Sequence, residues 1–93
     1  MEGVRGSSPL ISTKPFFYIL RSLRTGRFYV GSTSRIIERF DEHNRGQTDS
    51  TRPGVPWELV YGETHDTLAH ARAREREVKG WKSAAMIKRL IAQ

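Results

Sequence analysis

The chain has 93 residues, enough for one domain with its own hydrophobic core, and no cysteine, which excludes disulfide bonds and thiolate metal sites. Sixteen Lys and Arg against ten Asp and Glu give a net charge of +6, and twelve of the sixteen are arginine, which grips phosphate through two parallel hydrogen bonds. This balance predicts a polyanionic partner and salt-sensitive binding. The sequence contains neither a membrane-length apolar run nor a basic helix with a large apolar face, so a membrane is not the expected partner.

Residues 1–13 are rich in Gly and Ser and lack the apolar segment of a signal peptide. This composition predicts a flexible N-terminal arm, followed by a single domain over residues 14–93. Because the arm carries no export signal, we expect a cytoplasmic protein.

Two strands, Phe16 to Leu20 and Phe28 to Val30, are predicted from their aromatic and β-branched residues, with the turn signal Arg24-Thr25-Gly26 between them. Such a hairpin places Tyr18 and Tyr29 within a residue or two of facing each other. The plain interpretation is that two tyrosines pack a small sheet, because aromatic residues are common in strands.

Side chains alternate along a strand, so Tyr18 shares its face with Phe16 and Leu20, while Tyr29 shares its face with Gly31. Because glycine has no side chain, Gly31 is expected to clear space beside Tyr29 for the close approach of a ligand.

A first helix is predicted next, with Ser34 as its N-cap and Gly46 just beyond its C-terminus. Ile36, Ile37 and Phe40 recur at helical spacing and are expected to form its buried stripe.

Arg39 and His43 are four residues apart on this helix, so they are neighbours at the edge of the stripe. The alternative for each is an ordinary solvated helix flank, since charged residues are mostly exposed.

A second helix is predicted over residues 67–79, capped by Asp66 and ended by Gly80. Helical periodicity places Glu75 in the middle of the apolar stripe and Glu77 on the opposite side. An inward carboxylate should bind a metal or be paired, and the alternative is a structural ion pair with an arginine. The stripe consists of Leu68, Ala71 and Val78.

Residues 47–56 are predicted to form a loop, in which Arg52 is a candidate phosphate contact, and residues 57–61 a third strand. A third helix is expected from a Ser83 cap through Ile91. The predicted fold class is therefore α+β: a small three-stranded antiparallel sheet flanked by helices, in the order β-β-α-β-α-α.

Taken together, these residues resemble the GIY-YIG nuclease superfamily, and most closely its small single-domain members. The similarity covers roughly Lys14 to Ile91, and its order and spacing are more specific than any one string. Phe16-Phe17 stands before the first motif tyrosine, where the family name has Gly-Ile. The matching strings are Phe17-Tyr18-Ile19-Leu20, Tyr29-Val30-Gly31-Ser32-Thr33-Ser34, Glu38-Arg39-Phe40, Glu42-His43-Asn44 with Gly46, Pro56-Trp57-Glu58-Leu59-Val60-Tyr61, Ala71 with Glu75 and Val78-Lys79, Trp81, and Lys88 with Leu90-Ile91.

The resemblance implies a metal-dependent endonuclease that hydrolyses phosphodiester bonds in DNA, with Mg²⁺ or Mn²⁺ as cofactor. The residues carried over are Tyr18, Tyr29, Arg39 and His43 as catalytic groups and Glu75 as the metal ligand. The basic residues expected to contact nucleic acid are Arg35, Arg45, Arg52 and Lys79.

In the expected mechanism Glu75 holds the cation, and Arg39 clamps the phosphate and stabilises its developing charge. One tyrosine, with Tyr29 favoured, acts as general base, and nearby positive charge favours its phenolate. His43 accepts the tyrosine proton or orients the hydroxyl, and Tyr18 positions the water or phosphate. The sequence leaves open which tyrosine is the general base and which positions the water or phosphate.

Without a recognition domain, the enzyme is expected to select DNA structure or single strands rather than a sequence. The alternative function is a non-catalytic nucleic-acid-binding module, or a subunit of a larger repair or recombination complex. Basic composition does not distinguish DNA from RNA, and the biological pathway and oligomeric state stay open.

Overall fold

The computed structural model describes residues 14–93, so the flexible arm expected for residues 1–13 lies outside the described residues. Within them, three strands and three α-helices follow the predicted order β-β-α-β-α-α. No helix among these residues has the length and apolar character needed to cross a bilayer. The elements are β1 (Phe16–Ser22), β2 (Phe28–Thr33), α1 (Ile36–Asn44), β3 (Trp57–Thr64), α2 (Leu68–Trp81) and α3 (Ala84–Ile91), with a short 3-10 helix (Arg52–Gly54) before β3.

The strands form one antiparallel sheet in the order β2-β1-β3, with β1 in the centre. Gly26, at φ +78°, makes the tight turn between β1 and β2, where a positive φ favours glycine. β3 extends beyond the predicted strand to Thr64, and its pairing with β1 shifts by one residue at Val60. An extra residue of this kind is a β-bulge, which increases the local twist of the sheet.

The two faces of the sheet carry two separate apolar clusters, as the alternation of side chains requires. The cluster beneath α2 and α3 contains Phe17, Ile19, Val30, Val78 and Leu90. The cluster beneath α1 contains Tyr18, Leu20, Ile36 and Trp57, with Tyr29 and Phe40 packed against it. The tyrosines therefore lie on the α1 face of the sheet.

The start of α1 differs from the prediction, whereas its end agrees with it. Ser34 does not cap the helix: the N-cap residue is Arg35, without a side-chain capping bond, and the Thr33 hydroxyl accepts the Arg35 N–H at 3.0 Å. This bond closes a local turn at the end of β2, so the helix begins only at Ile36. Gly46 has φ +76° and ends the helix as predicted.

The buried stripe of α1 also differs from the prediction. Ile36 is only 4% exposed, but Ile37 is 61% exposed and points away from the sheet. Phe40 and His43, four and seven residues after Ile36, continue the inner stripe, and His43 is fully buried. One residue advances a helix by about 100°, which carries Ile37 off the stripe.

Both ends of α2 lie elsewhere than predicted. Its N-cap is Thr67 rather than Asp66, because the Thr67 hydroxyl accepts a first-turn N–H at 3.1 Å. Gly80 does not end the helix but lies within it, and the chain leaves the helix at Lys82, which adopts a left-handed φ of 50°. Ser83 then caps α3 as predicted.

Candidate active site

Tyr18 and Tyr29 lie diagonally opposite each other on the α1 face of the hairpin. Tyr18 pairs with Gly31 and Tyr29 pairs with Leu20, so the two are offset by two residues, as the turn signal predicted. Their ring centroids are 6.4 Å apart. Tyr18 is only 1% exposed, whereas Tyr29 is half-buried, so only Tyr29 presents much of its ring to solvent.

Gly31 makes room for Tyr18, not for a ligand beside Tyr29 as the sequence suggested. A Cβ atom at Gly31 would lie 2.5 Å from the Tyr18 hydroxyl oxygen and 2.6 Å from the Cζ atom. Real Cβ atoms do not come this close to other atoms, so any side chain at this position must push the ring aside. The absence of a side chain at Gly31 therefore allows the Tyr18 ring to pack in its buried position.

Gly31→Ala is expected to destabilise the protein by about 1–3 kcal/mol, because overpacking a buried site forces side chains off their positions. The displaced Tyr18 should also lose its polar contacts. Denaturant unfolding measures the first effect. Gly80→Ala is the matched control, since Gly80 lies within α2 and no packing neighbour from the described part of the chain comes within 4 Å of an added Cβ. That change should stabilise the helix by about 0.5–1 kcal/mol; equal losses in both variants would contradict the packing argument.

His43 is the buried polar centre of the site. It is 0% exposed, which rules out the solvated-flank interpretation. Its Nε2 atom lies 3.0 Å from the Tyr18 hydroxyl and its Nδ1 atom 2.8 Å from the Thr51 hydroxyl. The imidazole centroid is 4.9 Å from that of Tyr29. Histidine therefore contacts both tyrosines but is hydrogen-bonded to Tyr18.

Arg39 connects this buried centre to the surface. Its side chain is 33% exposed and donates a hydrogen bond to Glu42 at 3.0 Å. The guanidinium also lies beside the Tyr18 oxygen, and although burial opposes it, the contacts with Glu42 and Tyr18 raise the pKa of Arg39. Arg39 is thus a permanent positive charge next to the buried hydroxyl.

Burial keeps both partners of the Tyr18–His43 bond uncharged. It raises the pKa of Tyr18 far above the usual range, and the neighbouring Tyr29 raises this pKa further. The contact with Arg39 lowers the pKa of Tyr18, but by less than burial raises it. Positive charge nearby thus favours the phenolate, as expected, but burial outweighs it. Burial, assisted by the Arg39 charge, also lowers the pKa of His43 to about 4. At neutral pH the pair is a phenol beside a neutral imidazole.

Acid should destabilise the fold through His43. A histidine in the unfolded chain has a pKa of about 6.5, so between pH 6.5 and 4 the unfolded state binds more protons than the native state. The stabilisation that comes from keeping His43 neutral in the fold is complete above pH 6.5. As pH falls through 4, the free energy of unfolding loses this stabilisation, up to about 3 kcal/mol. Urea unfolding from pH 7 to 4 measures it. His43→Gln should show a shallower loss over that range, and an equal slope would contradict the assignment.

Glu75 faces the sheet as helical periodicity predicted. Its carboxylate, 21% exposed, accepts a hydrogen bond from the Ser32 hydroxyl of β2 at 2.5 Å and one from Lys79 at 2.6 Å. Glu77 is 57% exposed and pairs with Arg74, so it lies on the outer side. The partner of Glu75 is thus a lysine rather than the arginine considered from sequence.

Arg74 fixes the orientation of α2 next to Glu75. It donates hydrogen bonds to Glu63 of β3 and to Glu77, each at 3.1 Å, and its guanidinium lies 5.7 Å from the centroid of the Phe17 ring. These contacts tie the helix to the far strand of the sheet. Rotation of α2 is thereby restricted, which keeps Glu75 directed at β2.

The donors around Glu75 suit a hard cation that keeps most of its water. Among residues 14–93 no three His, Asp or Glu side chains converge, so a cage made entirely of protein ligands is absent from that range. Mg²⁺ is commonly held by one or two carboxylates together with waters and substrate phosphate, which fits one carboxylate beside the Ser32 hydroxyl. The Lys79 ammonium is paired with the second carboxylate oxygen at 2.6 Å, so a bound cation would compete with this exposed lysine for the carboxylate.

The four residues predicted to contact nucleic acid are all exposed. Arg35 is exposed at the start of α1. Arg45 and Arg52 pair with acidic neighbours, Asp41 and Asp49, at 2.8 Å each, and Lys79 pairs with Glu75. These exposed pairs are weak in water, so the basic side chains remain available to phosphate.

Two site residues were missed by sequence reasoning, Thr51 and Ser32. Thr51 is 0% exposed although it lies in a segment that was predicted as an ordinary loop. Ser32 directly follows the motif glycine, so side-chain alternation along β2 could have placed it on the α2 side, facing Glu75. No comparable pattern pointed to Thr51.

The fold places two tyrosines, Arg39 and His43 on one face of a three-stranded antiparallel sheet and Glu75 on a helix at the other face. With the family match that follows, it is a nuclease-type domain. The model of the GIY-YIG catalytic domain matches residues 14–89, and the chain belongs to the GIY-YIG family. Relatives include UPF0213 proteins of Staphylococcus aureus strains Mu3 and Mu50, each 37% identical over 69% of this chain and 78% of the relative. A UPF0213 protein of Staphylococcus saprophyticus is 37% identical over 71% of this chain and 80% of its own length. No solved structure matches significantly.

Proposed function

We propose that this protein is a metal-dependent endonuclease that hydrolyses phosphodiester bonds in DNA. The observation that carries the proposal is the buried hydrogen bond between Tyr18 and His43, with the Arg39 guanidinium in contact with Tyr18. A passive binder needs arginines on its surface but gains nothing from a neutral imidazole held against a buried phenol. Such a pair is suited to moving a proton.

The geometry favours Tyr18 over Tyr29 as the general base. Its hydroxyl can pass its hydrogen to His43 Nε2 while its oxygen takes a proton from the attacking water, so no free phenolate has to form first. The hydroxide produced attacks the phosphorus atom. Tyr29, which is more exposed, then orients the water or the phosphate.

Arg39 is placed to bind the reacting phosphate. Its guanidinium lies beside the Tyr18 oxygen and is one-third exposed, so a phosphate bound there would lie next to the base. Positive charge at this point stabilises the charge that gathers on the phosphate oxygens. Glu75, with Ser32, would hold Mg²⁺ or Mn²⁺, which supplies charge neutralisation at the leaving oxygen.

The test is incubation of the full chain with single-stranded, duplex, flap and branched DNA, with Mg²⁺, with Mn²⁺ and with chelator. We expect metal-dependent cleavage, with preference for single-stranded or branched substrates over plain duplex. Matched RNA substrates decide whether the preference is for DNA. Binding without cleavage on every substrate and metal would instead support a nucleic-acid-binding module or a subunit of a larger complex. A cytoplasmic location stays a prediction from the sequence.

Binding is expected to be dominated by phosphate contacts, because the chain carries a net charge of +6. For about four to six contacts, the logarithm of affinity for duplex DNA should fall against the logarithm of salt with a slope of roughly −3 to −5. Fluorescence anisotropy between low and moderate salt measures the slope. A flat titration would contradict phosphate-driven binding.

A further inference from the structure

Both ring nitrogens of the buried His43 are hydrogen-bonded, one to Tyr18 and one to Thr51. A neutral imidazole carries one N–H and one lone pair, so it donates one of these bonds and accepts the other. The two bonds must therefore run in the same direction through the ring. Either hydrogen passes from tyrosine towards threonine, or it passes the other way.

The surroundings of Thr51 indicate the direction. Its hydroxyl lies 3.4 Å from the Thr48 carbonyl oxygen, a long contact to an oxygen that also accepts the backbone N–H groups of Thr51 and Arg52 and can only accept. A hydroxyl has a single hydrogen, so when Thr51 donates to that carbonyl it must accept from His43. The 2.8 Å bond is then Nδ1–H of His43 to the Thr51 oxygen.

The surroundings of Tyr18 indicate the same direction. The Arg39 guanidinium beside the Tyr18 oxygen can only donate, which leaves the tyrosine hydrogen for another partner. Among the contacts of residues 14–93, His43 Nε2 is the acceptor within reach, at 3.0 Å. The hydrogens thus run from Tyr18 through His43 and Thr51 to the Thr48 carbonyl.

We infer that Thr51 is a positioning residue: its hydroxyl holds His43 in the tautomer with hydrogen on Nδ1, which leaves Nε2 able to take the proton of Tyr18. This inference rests on the proposed function, because it assigns Thr51 a part in that proton transfer. Without an acceptor at Nδ1, the ring can move its hydrogen to Nε2, where it blocks transfer from tyrosine.

Thr51 itself is firmly held, as this role requires. Its backbone N–H donates to the Thr48 carbonyl at 3.1 Å, and its own carbonyl accepts the Trp57 indole N–H at 2.8 Å. The Asn44 side chain accepts the Trp57 backbone N–H at 2.6 Å and donates to the Trp57 carbonyl at 3.0 Å. The end of α1 and the start of β3 thus clamp the loop that presents the hydroxyl.

The experiment compares wild type, Thr51→Val and Thr51→Ser as full chains. Valine keeps the shape of threonine but lacks the hydroxyl, and serine keeps the hydroxyl. Nitrogen-15 NMR of labelled histidine at neutral pH reports which ring nitrogen carries hydrogen, and His43→Gln identifies the His43 signals among the three histidines. We expect Nδ1–H in wild type and in the serine variant, and a shift towards Nε2–H in the valine variant.

Cleavage kinetics give the second readout. Thr51→Val should lower kcat by at least about tenfold with little change in KM, because proton transfer is impaired while phosphate binding is not. Thr51→Ser should restore kcat to within about threefold of wild type. This rescue separates the hydroxyl from mere space-filling.

An Nε2–H tautomer in wild type would overturn the inference, as would a valine variant that shifts its tautomer yet keeps full kcat. If the valine variant does not fold, the wild-type tautomer and the kinetics of the serine variant decide. A wild type that cleaves nothing would refute the proposed nuclease, whereas NMR would still decide the tautomer.

Discussion

Glu75→Gln should lower DNA cleavage by at least about a hundredfold. Glutamine keeps the size of glutamate and its ability to accept from the Ser32 hydroxyl, but it lacks the charge that attracts a hard divalent cation. Because Glu75 is partly exposed and its partner Lys79 is exposed enough to be solvated by water instead, the fold should tolerate the change. Isothermal titration with Mn²⁺ should show weakened binding in parallel with the lost cleavage.

Glu77→Gln is the matched control for this variant. It makes the same chemical change two residues away on the exposed side of α2, where, within residues 14–93, the ion-pair partner of Glu77 is Arg74. Its cleavage rate and its Mn²⁺ affinity should be close to wild type. Equal losses in the two variants would show that the orientation of the helix does not decide which carboxylate binds the metal.

Short-range periodicity explains why much of this site could be predicted from the sequence. The turn signal depends only on neighbouring residues, and it brought Tyr18 and Tyr29 within a residue or two of facing each other, as the observed pairing shows. The helical repeat is equally local, and it separated the inward Glu75 from the outward Glu77.

The rest of the site depends on contacts between distant segments. Gly31 makes space for a tyrosine on the neighbouring strand, and only the packed structure shows how tightly the ring fits. Thr51 meets His43 through a non-helical loop, to which no regular spacing applies. Ile37 was misplaced because three apolar residues within five positions fit a stripe in more than one way, and the sheet decides which face is buried.

Tyr18→Phe should lower cleavage by about 10² to 10⁴, the usual contribution of a positioned base. Phenylalanine fills the same space but removes the oxygen that receives the water proton in the proposed mechanism, and with it the hydrogen that passes to His43. The buried Nε2 atom then loses its partner, so we also expect a stability loss of about 1–3 kcal/mol. Single-turnover cleavage and urea unfolding measure the two effects, while DNA affinity should hardly change.

Tyr29→Phe provides the comparison that assigns the roles. Tyr29 is half-buried, and among residues 14–93 its hydroxyl makes no hydrogen bond comparable to the one between Tyr18 and His43. Loss of the Tyr29 hydroxyl should therefore lower the free energy of unfolding by less than about 1 kcal/mol. It should also lower the cleavage rate by a smaller factor than Tyr18→Phe does. Arg39→Ala should reduce both binding and cleavage, because the proposed phosphate contact of Arg39 is made in the ground state and the transition state alike. If Tyr29→Phe lost more activity than Tyr18→Phe, the water would be deprotonated by Tyr29, and the histidine bond would serve only to hold Tyr18 in place.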